Sequence, residues 1–153
     1  MGKHSLVLIV IACALAAPVA HACKPLVPED GVREFVATKQ PPSAIIFTGK
    51  VVSVNEKRQA DGSVVTETTL QPTKWWMHFH NGAVVVRTTH SAMSPCPDIG
   101  VLHAGVGEQW LVSGWIHNTV AGPWGELGAG MRLERGRLPG SIEQELRRVK
   151  ASD

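Results

Sequence analysis

Two cysteines are the first residues whose placement suggests chemistry. Cys23 directly follows Ala20-His21-Ala22, a small-x-small triplet of the kind a signal peptidase cuts after, and Cys96 stands between Pro95 and Pro97. A cysteine that begins a chain carries a free amine beside its thiol; both groups bind metal, and the thiol also cross-links. The histidines are a second candidate. On a strand, His78-Phe79-His80 would present both imidazoles on one face, with His90, His103 or His117 as further metal ligands. The competing reading is a polar strand edge beside Asn81-Gly82, since no acidic or cysteine ligand stands at a supporting spacing. Trp75, Trp76, Trp110, Trp115 and Trp124 are a third. They either stack on bases or sugars, or fill a core and cover its end. Alternation sends Trp75 and Trp76 to opposite faces, so at least one is expected to be exposed.

Other chemistries lack their residues. The chain contains no hydrolase elbow, phosphate loop or His-Glu-x-x-His, and Ser91, Ser94 and Ser113 have no neighbouring base arrangement. An enzyme is not expected, nor a cofactor. Asp98 and Glu108 read as loop solvation and turn chemistry. Net charge is +2, and the arginines from Arg132 to Arg148 are separated by glycine and acidic residues. A nucleic-acid partner would call for a denser basic stripe.

The N-terminus bears on where the cysteines work. Lys3 and His4 precede an apolar run from Leu6 to Ala17, which Pro18 ends. A run of about a dozen residues falls short of the roughly 20 that span a bilayer. Residues 1–22 therefore read as a signal peptide cleaved after Ala22, and 23–153 as a secreted or periplasmic domain without an integral membrane anchor. Lipid attachment at Cys23 is the weaker alternative, because Ala20 stands where a leucine-like residue is expected. Cleavage leaves about 131 residues, enough for one domain that buries roughly two-thirds of its unfolded surface. It also removes Cys13. Cys23 and Cys96 then form an even pair in an oxidising compartment, which reads as one disulfide. Closing a loop of about 70 residues would contribute about 4 kcal/mol.

The elements that would position these groups follow from the pattern. Pro28-Glu29-Asp30 starts a short helix whose Val32, Phe35 and Val36 share a face. "SAIIFTGKVVSVNE" reads as a long strand bent at Gly49, Asp61-Gly62 as a hairpin turn, and "SVVTETTLQPTKWW" as the return strand, interrupted at Pro72. After Asn81-Gly82, "AVVVRTTH" is a third strand and "QWLVSGWI" a fourth. Residues 118–130 read as glycine-rich and irregular, with a ragged strand around Met131-Arg132-Leu133. Ser141 and Gln144 suggest a capping box on a final helix, with Ile142, Leu146 and Val149 on one face and Glu143 and Arg147 spaced as a pair. The expected fold is mainly β: an OB-type barrel of four or five antiparallel strands with an N-terminal and a C-terminal helix. A small open sheet on two helices is the alternative.

Four pieces in order, "AIIFTGKVVSV", "TKWW", "VVVRTTHSAMSPC" and "GVGEQWLVSGW", resemble the netrin-like domain of the tissue inhibitors of metalloproteinases. Gly107, Trp110, Leu111, Val112 and Gly114 match that family's Gly-x-x-Tyr-Leu-Val-x-Gly, with Trp110 in place of the tyrosine. The resemblance runs from Cys23 to about Trp115 and, more loosely, over the terminal helix. It implies an OB-type barrel with Cys23 bonded to Cys96, and a Cys23 amine and carbonyl oxygen that chelate the zinc of a partner metallopeptidase. It also implies an inhibitory edge of Cys23, Lys24 and Pro25 beside Ser91, Ala92, Met93 and Ser94, with Lys24 aimed at the specificity pocket. Cys23-Lys24-Pro25 replaces the family's Cys-x-Cys, and neither the cysteine after the last strand nor the cysteine-rich second domain has a counterpart here. The alternative from another class is a non-inhibitory envelope module that binds a glycan, peptide or lipid through exposed tryptophans.

Overall fold

The computed structural model describes residues 27–78, 80–91, 102–120 and 122–150. Helix α1, Pro28–Ala37, begins with proline in its first turn and Glu29 and Asp30 at its positive end. It stops at Thr38, whose backbone N–H and hydroxyl both donate to the Glu34 carbonyl, at 3.2 and 2.9 Å. Five strands follow: β1 Ala44–Arg58, β2 Ser63–Met77, β3 Val84–Ser91, β4 Gln109–Thr119 and β5 Gly122–Arg132. Helix α2 spans Gly140–Lys150. The strands close in the order β1-β2-β3-β5-β4, so the fold is the expected OB-like barrel with a helix at each end, not an open sheet.

Two apolar layers share strand β1. Its Ile45 and Phe47 point into the barrel with Val51, Leu70, Val84, Val86, Leu102 and Val112. Its Ala44 and Ile46 point outward, against Val32 and Phe35 of α1 and Ile142 and Leu146 of α2. A strand covered on both faces reads as a continuous apolar run rather than an alternating one. The run breaks at Gly49, where the register with β2 shifts, as the glycine suggests.

Four details of the expected fold need correction. Pro72 does not interrupt β2: it sits opposite Gly49 at the bulge, where the lost donor is tolerated, and the strand continues to Met77. The barrel is not wholly antiparallel, because β3 and β5 pair in parallel. The glycine-rich stretch before Met131 is part of an 11-residue strand. A Cβ on Gly128 would lie 2.7 Å from the Phe35 ring, and one on Gly130 would lie 2.9 Å from Leu102. Side chains from elsewhere occupy the space these residues leave. Finally, Ser141 lies inside α2, which starts at Gly140 with the Glu143 N–H on the Pro139 carbonyl at 3.0 Å. The Ser141 hydroxyl instead accepts from the Arg33 guanidinium at 3.0 Å, tying α2 to α1. The Glu143–Arg147 pair forms at 2.7 Å.

Gly114 tests the closure. It stands at the β4 bulge opposite Leu127, and a Cβ there would overlap the Glu126 carbonyl oxygen. Gly114→Ala is expected to cost about 3 kcal/mol or more, the upper range for overpacking. Gly140→Ala, which meets open space, should be neutral or stabilising by up to about 1 kcal/mol. Urea unfolding midpoints of the two variants check the contrast.

Candidate functional site

Of the expected edge, Ser91 is described: it is the last residue of β3, half-buried opposite Ser63. Cys23, Lys24, Pro25, Ala92, Met93, Ser94 and Cys96 lie outside the described residues, as does the disulfide expected between the cysteines; Asp98 does too. The residues that root these segments are described. Leu102 is buried inside the barrel against the Gly130 backbone. Val27, before α1, is exposed and lines a cleft of about 680 Å³ with Met131 and Arg132. Both roots therefore meet the last turn of β5, one from within the barrel and one from outside it.

Glu108 fastens the approach to β4. One carboxylate oxygen accepts from the Gly105 N–H at 2.9 Å and from the Trp110 indole at 3.0 Å. The other accepts from Arg132 at 3.1 Å. Backbone bonds of 2.9 Å join Gly107 and Glu108 to Val51 of β1. The Gly105 N–H, followed by the Trp110 indole, holds the carboxyl below the ordinary glutamate range, with a smaller contribution from Arg132. Turn chemistry was the expectation for Glu108. The structure adds that one carboxylate joins the loop, β4 and β5.

The histidines are dispersed. Strand β2 ends at Met77 and His78 adopts φ 43°, so His78 and His80 do not share a strand face; Phe79 lies outside the described residues. His90 and His103 line a cleft of about 260 Å³ with Glu56. His117 bonds Glu126 at 2.7 Å. Among the described residues, no three histidine, cysteine, aspartate or glutamate side chains are grouped to hold a metal ion. Ser113 is fully buried, its hydroxyl donating to the Ala129 carbonyl at 3.2 Å.

The tryptophans divide four to one. Trp75 packs on Phe47 with 4.9 Å between ring centroids, and Trp115 on Phe35 with 5.1 Å. Trp110 lies against the barrel interior. Trp76 is buried in the helix layer under the Lys74 ammonium, 3.6 Å from its ring centroid. Trp75 and Trp76 differ in burial, as alternation suggests: Trp76 is buried and Trp75 is half-buried against Phe47. Trp124 belongs to neither core cluster. It stacks on His117 at 4.6 Å and has the Arg87 guanidinium 5.4 Å from its ring centroid. Arg87 in turn bonds Glu67 at 2.7 Å. Sequence reasoning missed this group because its members come from four strands and meet only once the register is known.

No helix among the described residues is long and apolar enough to cross a membrane. The chain matches no protein-family model, and no curated protein matches it.

The depressed Glu108 carboxyl sets a pH dependence. A carboxylate that ionises more readily in the folded state adds stability above its unfolded pKa, and that stability is lost as pH falls through the folded one. Glu108→Gln should therefore unfold at lower urea than the parent at pH 7. The gap should narrow between about pH 5 and pH 3, where the parent loses the contribution. Parallel urea titrations across that range measure it, and a gap constant with pH would remove the carboxylate from this role.

Proposed function

We propose that the mature chain is a secreted or periplasmic binding module of the netrin-like type rather than an enzyme. In this reading Cys23 opens the chain, is bonded to Cys96, and offers its amine and carbonyl oxygen to the zinc of a partner metallopeptidase. The observation that carries the reading is the convergence of Val27 and Leu102 on the end of β5. Four residues of chain from Val27 reach at most about 14 Å, and six from Leu102 about 21 Å, so a bond between the two cysteines is within reach. The OB-like barrel that the resemblance implies supports it as well.

The chemistry is consistent with the residue types. A catalytic zinc keeps one position open beyond its three protein ligands. An α-amine titrates near about 8, so it yields its proton to a Lewis acid at neutral pH. Amine nitrogen and carbonyl oxygen of one residue close a five-membered chelate. A disulfide at that residue restrains the chelate before binding, which lowers the ordering cost of association. On the other side of the bridge, Glu108 pins the segment that follows Leu102. Ser91, Ala92, Met93 and Ser94 would form the second edge, beside Lys24 and Pro25.

The test is inhibition of a panel of zinc endopeptidases by protein beginning at Cys23. At least one enzyme should be inhibited. Adding a single alanine before Cys23, or substituting Cys96→Ser, should weaken inhibition by about 100-fold or more, because each removes the chelate or its restraint. Equal inhibition by the extended protein would sink the proposal, as would a purified exported protein whose Cys23 amine is acylated.

A further inference from the structure

Strands β3 and β5 close the barrel through two residue pairs, Val86 with Gly125 and Arg87 with Glu126. Beyond them β3 continues beside β2, through Thr88 to Ser91, while β5 continues beside β4. The wall opens where the pairing ends. An open cleft of about 520 Å³ lies there, lined by Val65, Arg87, Thr89, Trp124, Glu126 and Leu127. Thr88 also reaches it; this residue is 5% exposed, and its hydroxyl has no partner among the described residues.

We infer that this cleft, with Trp124 at its rim, is a binding site for a neutral saccharide. It contains none of the residues of the Cys23 edge, so it stands apart from the inhibitory reading. The size lies within the roughly 300–1,000 Å³ of small-ligand sites. Arg87 is ion-paired with Glu67, and Glu126 is hydrogen-bonded to His117, each at 2.7 Å. An anion would have to draw Arg87 away from Glu67. A polyhydroxylated ring would not, because Arg87 meets Glu67 through Nε and keeps terminal donors, while Glu126 meets His117 through one oxygen and keeps the other. Thr89 adds a hydroxyl at the exposed rim.

The aromatic element fits the same ligand. His117 on β4 covers one side of the Trp124 indole at 4.6 Å. On the β3 side Arg87 stands 5.4 Å from the ring centroid, against 3.6 Å for Lys74 over Trp76. Trp124 lines the cleft, and an indole is a suitable apolar partner for the C–H face of a sugar. An extended peptide would instead need strand edge, and past Arg87 the described part of β3 supplies only Thr88 to Ser91.

Ligand-observed saturation-transfer NMR and calorimetry with chitotriose, cellotriose and maltotriose test the site. At least one should bind with a Kd below about 10 mM. Trp124→Ala should weaken it by about tenfold or more, and Thr89→Ala by about threefold, while Gly140→Ala on α2, outside the lining, should leave it unchanged. Should Trp124→Ala fail to fold by circular dichroism, Trp124→Phe and Glu126→Gln take its place, each expected to weaken binding several-fold. Glu126→Gln retains a hydrogen bond to His117. Absence of binding by all three sugars up to about 10 mM overturns the inference. So does sugar binding indifferent to the substitutions, or a mixture of eight-residue extended peptides that binds in a Trp124-dependent way where the sugars do not.

Discussion

From Ala44 to Gly49, strand β1 has no solvent side, and the rest of the molecule is arranged to satisfy that condition. Ile45 and Phe47 require a closed barrel around them; Ala44 and Ile46 require a second layer outside it. Full burial of one such aliphatic or aromatic side chain is worth about 1.5–3 kcal/mol, so neither layer can be given up. The two helices are therefore the outer half of the same core rather than accessories to a barrel. Val32 and Phe35 of α1 meet Ile142 and Leu146 of α2 over residues of β1, β2, β4 and β5. Beyond the Gly49 bulge the requirement lapses. Lys50 is exposed and so is nearly half of Val52, and β1 continues as one arm of a long hairpin with β2.

Closure is uneven as a result. Strand β1 pairs at length with β2 and β4, while β3 and β5 share two residue pairs. Across that short seam the side chains of His117, Trp124, Arg87 and Glu67 run in a row, one from each of four neighbouring strands. Glu108 does comparable work at the loop before β4, where a single carboxylate gathers donors from Gly105, Trp110 and Arg132. Both devices are polar, and both lie where backbone pairing gives out. Ion pairs as exposed as these contribute about 0–1 kcal/mol each, so they orient side chains where the ladder is short more than they hold the barrel closed.

This arrangement explains what could be read from the residues and what could not. The apolar run of β1, the Asp61-Gly62 turn and the apolar face of α2 carry their own signals, because in each the residue that makes the structure is also the residue that shows it. Asp61 even accepts both the backbone and side-chain bonds of Ser63, at 2.9 and 2.7 Å. Strand β5 carries no such signal. Its glycines lie under Phe35 and Leu102, so its packing is written in α1 and in the loop before β4. For Trp75 and Trp76, alternation tells which faces they take, but not that Phe47 lies against the first and the helix layer over the second. The Trp124 group was invisible because Glu67, Arg87, His117 and Glu126 are scattered along the chain. The cysteine pair, expected from a cleavage pattern and a parity rule, lies outside the described residues.

The helices also decide which surface is left for recognition. Together they cover the outward residues of β1, the end of β2 at Trp76 and Met77, Leu111 of β4, and Ala129 and Met131 of β5. The outward positions of β2 and β3 nearer the hairpin tip, among them Val65, Glu67, Arg87 and Thr89, remain outside that layer and only partly shielded. Among the described residues, two surfaces lie outside the helix layer: the β2–β3–β5 wall, and the rim at Val27 and Leu102. On the wall, Arg87 is ion-paired with Glu67 and Glu126 is hydrogen-bonded to His117. The rim is marked by Val27 and Leu102, which meet the end of β5. The two surfaces differ in chemistry because one is made by strands and the other by the segments between them.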